Sequence, residues 1–378
     1  MSKQMEALLE RARIEENKQF RRLSEKTQVV SPKNGMKEVP TNRQSHSQEV
    51  ATSSKIIAAS LSETHGKSLK EIDYKTSVEN VSLIHDIGHP AFGHDGSDII
   101  NQIMISKGLK EGFSDNNNNL VVISKNKIAL RDYVIASSIK YPDELYEYQK
   151  KIYLPMLERA NKEDFDHYND CGIKINIQKR TIACQIMDES DRNSYVCSDL
   201  SDFISMGNSL SPQKVKRISL PYELGLSERK ILDEVIEVAK FGNKSDTKRF
   251  FGDLKQRFNF NHIIRPDGLD FLDKGLLNLR ECLNKVSLEC YIVPIRKMEN
   301  HHDNMRKMIA FVNHIIDNNH YPSGHYRNLI EGSTSEEDKL RAIRDMISEV
   351  SDWYVLVECD RLNLIPENEQ IYKSSYGY

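Results

Sequence analysis

Between Ser82 and Gly96 the chain reads Ser-Leu-Ile-His-Asp-Ile-Gly-His-Pro-Ala-Phe-Gly-His-Asp-Gly, and no other stretch restricts the fold so much. His85, His89 and His94, three of the twelve histidines, fall within ten residues. His85 and Asp86 are adjacent, a neutral nitrogen beside an anionic oxygen, which is a donor pair for a hard or borderline divalent metal. Apolar Val81 to Ile84 precedes them, and Gly88, Pro90, Gly93 and Gly96 interrupt the run on the C-terminal side. This pattern predicts a buried helix ending near the His-Asp pair, then a compact loop carrying His89 and His94. A new helix would come next, capped by Asp95 or Ser97 ahead of Ile99, Ile100 and Ile103. An isolated His-Asp pair is commonly a surface feature or a satisfied core pair. Two further histidines in a glycine-punctuated loop favour a site over that reading.

The remaining sequence supplies partners for such a site. Phe20 to Val29 reads, from its residues alone, as the basic end of an amphipathic helix. That helix is expected over 1–28, with Met5, Leu8, Leu9, Ala12 and Ile14 roughly on one face. Residues 30–40, with Pro32, Gly35 and Pro40, read as an irregular loop. Thr41 opens a helix through Leu61, in which His46 is a cap or surface residue by itself. Asn116 to Asn119 reads as a loop, and a helix from Leu130 to Ile139 stops at Lys140-Tyr141-Pro142 with a cationic last turn. Asp191, Tyr195 and Asp199 are spaced i, i+4, i+8, on one helix face. Apolar Ile182, Ile186, Val196, Leu200 and Ile204 could sink that helix into a core. Further helical periodicity covers 231–241, 269–288 and 340–362, and His301 and His302 read as surface residues. Alternating β-branched runs are few (119–124 and 172–178), so the fold class expected is mostly α.

His-Asp-Ile-Gly-His-Pro-Ala-Phe-Gly-His resembles the signature of the HD-domain deoxynucleoside triphosphate triphosphohydrolases of the bacterial dGTPase type. Three more stretches are similar to that family: Phe20-Arg-Arg-Leu-Ser-Glu-Lys-Thr-Gln-Val29, Arg43-Gln-Ser-His-Ser-Gln-Glu-Val50, and Asp191-Arg-Asn-Ser-Tyr-Val-Cys-Ser-Asp-Leu-Ser-Asp202. The resemblance implies a helical HD-domain fold, with His46, His85, Asp86 and Asp191 as ligands of one divalent metal ion (Mg²⁺, Mn²⁺, Co²⁺ or Fe²⁺). Asp188 competes with Asp191 but lacks Tyr and Asp at the matching spacing. By the same match Arg43, Lys140 and Arg192 face the triphosphate, a task suited to guanidinium forks. Gln28, Tyr195 and Asp199 face the deoxynucleoside. His94 is then the candidate acid/base, being a residue that titrates near neutrality, and His89 a second phosphate contact.

The implied reaction converts a dNTP to a deoxynucleoside and inorganic tripolyphosphate. The implied organisation is an N-terminal segment (1–40) packing on the active site, a phosphohydrolase core (41–205), and a helical region (206–378) completing the same globule. A homo-oligomer is expected, and single-stranded nucleic acid stays open as a further partner. Two departures stand out. Where the family has an acid three residues after the loop histidine, this chain has Ser97, and Asp98 is the candidate substitute. Its alternative role is to complement the helix dipole. Val350 and Trp353 replace a methionine and an arginine in the closing helices.

Composition narrows the rest. Charged residues make up 29% and the formal net charge is -3, which argues against a protein built chiefly to coat nucleic acid. No run approaches the ~18 apolar residues of a membrane span, and no secretory signal pattern opens the chain. The six cysteines show no CxxC spacing, so a cytoplasmic, reduced protein is expected. The alternatives are a phosphohydrolase of another nucleotide ester and a catalytically impaired nucleotide- or nucleic-acid-binding regulator.

Overall fold

A computed structural model describes residues 2–29, 41–65, 72–318, 321 and 324–364. The loop expected over 30–40 lies outside them. The described chain is mostly α, as expected; its only sheet among those residues is an antiparallel hairpin, His262–Arg265 with Gly268–Phe271. No helix among them is long and apolar enough to cross a membrane.

The helix Ile182–Ser205 runs through the middle of the molecule, and its apolar positions feed different cores along its length. Near its start, Ile182, Ala183 and Ile186 pack with Ile57, Leu61, Val78 and Tyr168. Cys184 and Met187 meet Ile14, Phe20, Leu23, Ile84 and Ile87. Further on, Val196, Leu200 and Ile204 pack with Val235, Phe251, Phe258 and Leu283. Thr181 caps the helix through its side chain onto Cys184 N–H, satisfying one of the donors that every helix start leaves free. A fourth core joins Ala91, Phe92 and Ile100 to Met308, Val312, Ile343 and Val355, so the histidine-bearing loop sits between the central helices and the C-terminal ones.

Several expected elements differ, and each difference has a local cause. The 1–28 helix is Lys3–Glu16, broken at Asn17, whose side chain caps Lys18–Arg22. Its buried residues include Ala7, Glu10 and Ile14, while Met5, Leu8 and Leu9 are exposed. The 269–288 helix begins only at Lys274, because Gly268–Phe271 is a strand. The 340–362 helix is two, Glu336–Ser348 and Asp352–Arg361. The strand-like run 119–124 is helical, and 172–178 is irregular. Gly93–Ser106 begins before Asp95 and Ser97, without a side-chain cap, so His94 lies in a helix rather than a loop. His301 is buried; His302 is exposed.

The largest surprise is the asparagine run. It lies in the helix Asp115–Lys125, with Asn117, Asn118 and Asn119 buried. Asparagine is a poor helix former because its amide competes for backbone groups. Here that capacity serves the neighbouring loop. Asn119 accepts from Gly88 N–H at 2.6 Å and donates to the His85 carbonyl at 2.5 Å. Asn118 donates to the Gly88 carbonyl at 2.7 Å. Gly88 is required for this approach: a Cβ there would lie 2.3 Å from Asn119 N.

Replacing Asn119 with Ala strands two buried backbone groups, each costing about 1–3 kcal/mol. Urea denaturation of Asn119→Ala is therefore expected to show a loss of about 2–4 kcal/mol, against less than about 1 kcal/mol for Asn116→Ala, whose side chain bonds its neighbour Asp115.

Candidate metal centre

His85 comes directly after the last turn of the helix Ile72–Ile84. Its Nδ1 lies 2.7 Å from the Ser82 carbonyl. A carbonyl only accepts, so Nδ1 carries the hydrogen and the Nε2 lone pair faces the other way. That Nε2 is buried and without a hydrogen-bond partner. It faces Asp86 Oδ1 at 3.4 Å and Asp191 Oδ1 at 3.6 Å. From the helix Arg43–His65, His46 brings its Nε2 to 3.0 Å from the same Asp191 oxygen. His46, His85 and Asp86 each offer a ligand atom, all within 4.8 Å of one another. A buried imidazole lone pair aimed between two carboxylates, with a second imidazole beside them, is a donor set that a divalent cation fits.

The charges here are strongly interdependent. Burial opposes ionisation of Asp86, but His85, His89 and Arg43 outweigh it and hold the carboxyl far below its ordinary range. Asp191 behaves likewise, burial being overcome chiefly by Lys140 and His85. Burial works against a charged His85, yet Asp86 and Asp191 raise its pKa. His89 goes the other way: burial, then the Arg43 charge, lowers it.

Of the remaining sequence-predicted residues, Arg43 and Lys140 contact this centre directly. Arg43 is buried, and its Nη1 donates to Asp86 Oδ2 at 2.7 Å, while Nε and Nη2 have no protein partner. Lys140 lies between Asp188 at 3.0 Å and Asp191 at 3.1 Å. Both carboxylates share Lys140, but Asp188 adds Arg180 and Arg192 whereas Asp191 adds His46 and His85. Arg192 is half-exposed. Tyr195 is partly buried and close enough to Asp191 for that charge to help burial raise its phenol to about 12. Asp199 is buried one helical turn further, and Gln28 Oε1 is buried without a hydrogen-bond partner.

Three features were missed in the sequence. The carboxylate facing His94 is Asp115, whose Oδ2 lies 3.3 Å from His94 Nδ1 and 2.9 Å from His89 Nε2. Ser114 caps the helix that Asp115 begins, so Ser-Asp ahead of Leu-Val-Val-Ile was a helix-start signal hidden by the asparagines. Asp95, beside His94, is held by Arg296 at 2.9 Å and His301 at 3.5 Å. Finally, Asp352 accepts from the Phe92 and Thr27 N–H groups, and buried Lys26 donates to the His89 and Ser348 carbonyls. No local sequence pattern announces contacts between residues so far apart.

Among known proteins, a deoxyguanosinetriphosphate triphosphohydrolase-like protein of Shewanella loihica is 29% identical over 243 residues, covering 52% of this chain and 53% of that protein. One of Shewanella pealeana is 26% identical over 310 residues, 71% of this chain and 65% of its own length. One of Shewanella sp. strain ANA-3 is 38% identical over 116 residues, 31% of this chain and 25% of that protein. The chain thus spans about half the length of the first two such curated relatives. No family model matches it. A hypothetical protein from Aquifex aeolicus, of known crystal structure, is 16% identical with a TM-score of 0.44, covering 93% of this chain and 67% of that one. That likeness is too loose to carry an argument.

Asp199 makes one property of this region measurable. Burial, then the neighbouring Asp202, pushes its carboxyl from the ordinary 3.8 up to about 8. The folded state keeps a proton that the unfolded state releases in that window, so stability is full below the unfolded pKa and falls as pH rises towards 8. Asp199→Asn is expected to match the wild type near pH 4 and to exceed it near pH 8 by on the order of 2 kcal/mol or more, read from urea denaturation at both pH values.

Proposed function

We propose, from the kinship of this chain with the dGTPase-type family, that it hydrolyses deoxynucleoside triphosphates to deoxynucleoside and inorganic tripolyphosphate. The observation that carries this reading is the buried His85 Nε2 facing Asp86 and Asp191 with no hydrogen-bond partner. His46, His85, Asp86 and Asp191 would hold one divalent ion. When bound, such an ion neutralises phosphate charge and lowers the pKa of a coordinated water.

The chain's own groups supply positioning and proton transfer. Arg43 orients Asp86 through Nη1, leaving its Nε and Nη2 donors for a phosphate oxygen. Lys140 fixes Asp191 and brings positive charge beside the centre. Arg192, half-exposed, is free to swing from Asp188 to the outer phosphates. Asp115 Oδ2 stands 3.3 Å from His94 Nδ1, so a hydrogen on that nitrogen would face the carboxylate and leave Nε2 of the half-exposed ring to exchange a proton with the reacting group. That arrangement obeys the logic by which a buried carboxylate sets the tautomer of a catalytic imidazole. In this reading Asp115, rather than Asp98, would supply the acid absent at Ser97. Tyr195, Asp199 and Gln28 would line the deoxynucleoside end. A protonated Asp199 can donate to, or accept from, the 3′-hydroxyl.

His85→Ala and Asp191→Ala are expected to lose the ion held at this centre, and hydrolysis with it, while remaining folded, with the drop in metal content read by mass spectrometry. Full metal in Asp191→Ala with loss in Asp188→Ala would show the wrong carboxylate had been chosen. Arg43→Ala should lower kcat/KM for dGTP roughly ten- to hundredfold, as expected for one charged hydrogen bond worth about 1.5–3 kcal/mol. For sugar reading, kcat/KM for dGTP should exceed that for GTP by at least about tenfold, since a 2′-hydroxyl buried without a partner costs about 1–3 kcal/mol. Tyr195→Ala should narrow that gap. Equal rates on both sugars would favour a phosphohydrolase of another nucleotide ester.

A further inference from the structure

Asp86 connects the candidate centre to a second group of donors. His89 Nδ1 lies 3.2 Å from Asp86 Oδ1, while on the other edge of the ring His89 Nε2 lies 2.9 Å from Asp115 Oδ2. His94 Nδ1 approaches the same Asp115 oxygen to 3.3 Å. His89, His94 and Asp115 each offer a ligand atom, all within 4.8 Å of one another. Both ring nitrogens of His89 are buried, and neither meets an acceptor along a hydrogen-bond line despite the nearby oxygens. Close approach without hydrogen-bond alignment suits donors that share a cation. With metal–nitrogen distances of about 2.0–2.1 Å, donor atoms around a tetrahedral ion stand roughly 3.3 Å apart. The separations of the two imidazole nitrogens from Asp115 Oδ2, 2.9 and 3.3 Å, are close to that.

Access differs from the first centre. The His94 side chain is 49% exposed, whereas those of His89 and Asp115 are 6% and 11% exposed. Two ligands are therefore pre-placed in the wall and one stands at the rim, leaving open positions for water. Two imidazoles and a carboxylate are a donor set that suits Zn²⁺ or Co²⁺. Mg²⁺ prefers oxygen ligands in near-octahedral geometry.

We propose that His89, His94 and Asp115 form a second divalent-cation site, taking a borderline transition metal in preference to Mg²⁺ and joined to the first centre through the Asp86–His89 contact. The inference rests on the reading that His46, His85, Asp86 and Asp191 hold the first ion, and it adds a consequence. An ion on His94 Nδ1 takes the place of a hydrogen on the nitrogen that faces Asp115. The remaining Nε2 then carries the ring hydrogen and no longer accepts a proton. Occupation of the second site and proton acceptance by His94 exclude one another, so excess transition metal is an inhibitor where excess Mg²⁺ is not.

The test counts ions rather than turnover. The full chain, stripped by chelation and dialysed against Co²⁺, is analysed by mass spectrometry, with visible absorption monitored during titration. Wild type is expected to hold two Co²⁺ per chain, and His94→Ala and Asp115→Ala one each. Because the His94 ring is half-exposed, its removal leaves the core undisturbed. His85→Ala should hold one ion, at the second site. A wild type saturating at one Co²⁺, or a His94→Ala protein still holding two, overturns the second site. Two ions retained in His85→Ala overturn the reading of the first centre instead, so the two failures are distinguishable.

Discussion

The carboxylate of Asp86 is the contact on which the site depends. It is buried, and it faces His85, His89 and the Arg43 guanidinium at 3.4, 3.2 and 2.7 Å. An isolated buried carboxylate is strongly unfavourable, and it persists only when paired or bound to metal. Each of its partners comes from a different part of the local chain, so balancing this one charge fixes a helix start, a helix end and a loop relative to one another. Removing a partner leaves the others uncompensated, which is why such a cluster behaves as a unit.

Around that charge the protein places a second layer of backbone recognition. Asn118 and Asn119 satisfy the loop from one side, through Gly88 and His85. Asp352 and Lys26 satisfy it from the other, through Phe92 and His89. Burial of Lys26 drives its pKa down to about 7, although Asp352 opposes this. These groups satisfy the backbone of the irregular segment from both sides and fix the positions of the histidines it carries. Gly96 belongs to the same design: a Cβ there would sit 1.8 Å from the Ala91 carbonyl oxygen.

The part of the site that could be read in the sequence was the part whose chemistry is local. The His-Asp pair, the loop glycines and the i, i+4, i+8 face of Asp191, Tyr195 and Asp199 carry their meaning within a few residues, and periodicity gives the helical class. The part that could not be read depends on partners distant in the chain. Asn117 to Asn119 look like a loop because their helix is stabilised by tertiary contacts rather than by propensity. The helix expected across 340–362 breaks because Ser351 caps a new start at Asp352, whose carboxylate is committed to Thr27 and Phe92. Asp115 was overlooked for the same reason: its partners His89 and His94 lie more than twenty positions away.

The central claim is cleavage between deoxynucleoside and α-phosphate, and phosphorus NMR of the products tests it most directly. With purified protein, dGTP and Mn²⁺, the account predicts inorganic tripolyphosphate as the phosphorus product alongside deoxyguanosine. Orthophosphate or pyrophosphate as the primary product, or intact dGTP in the presence of metal-loaded protein, would contradict it.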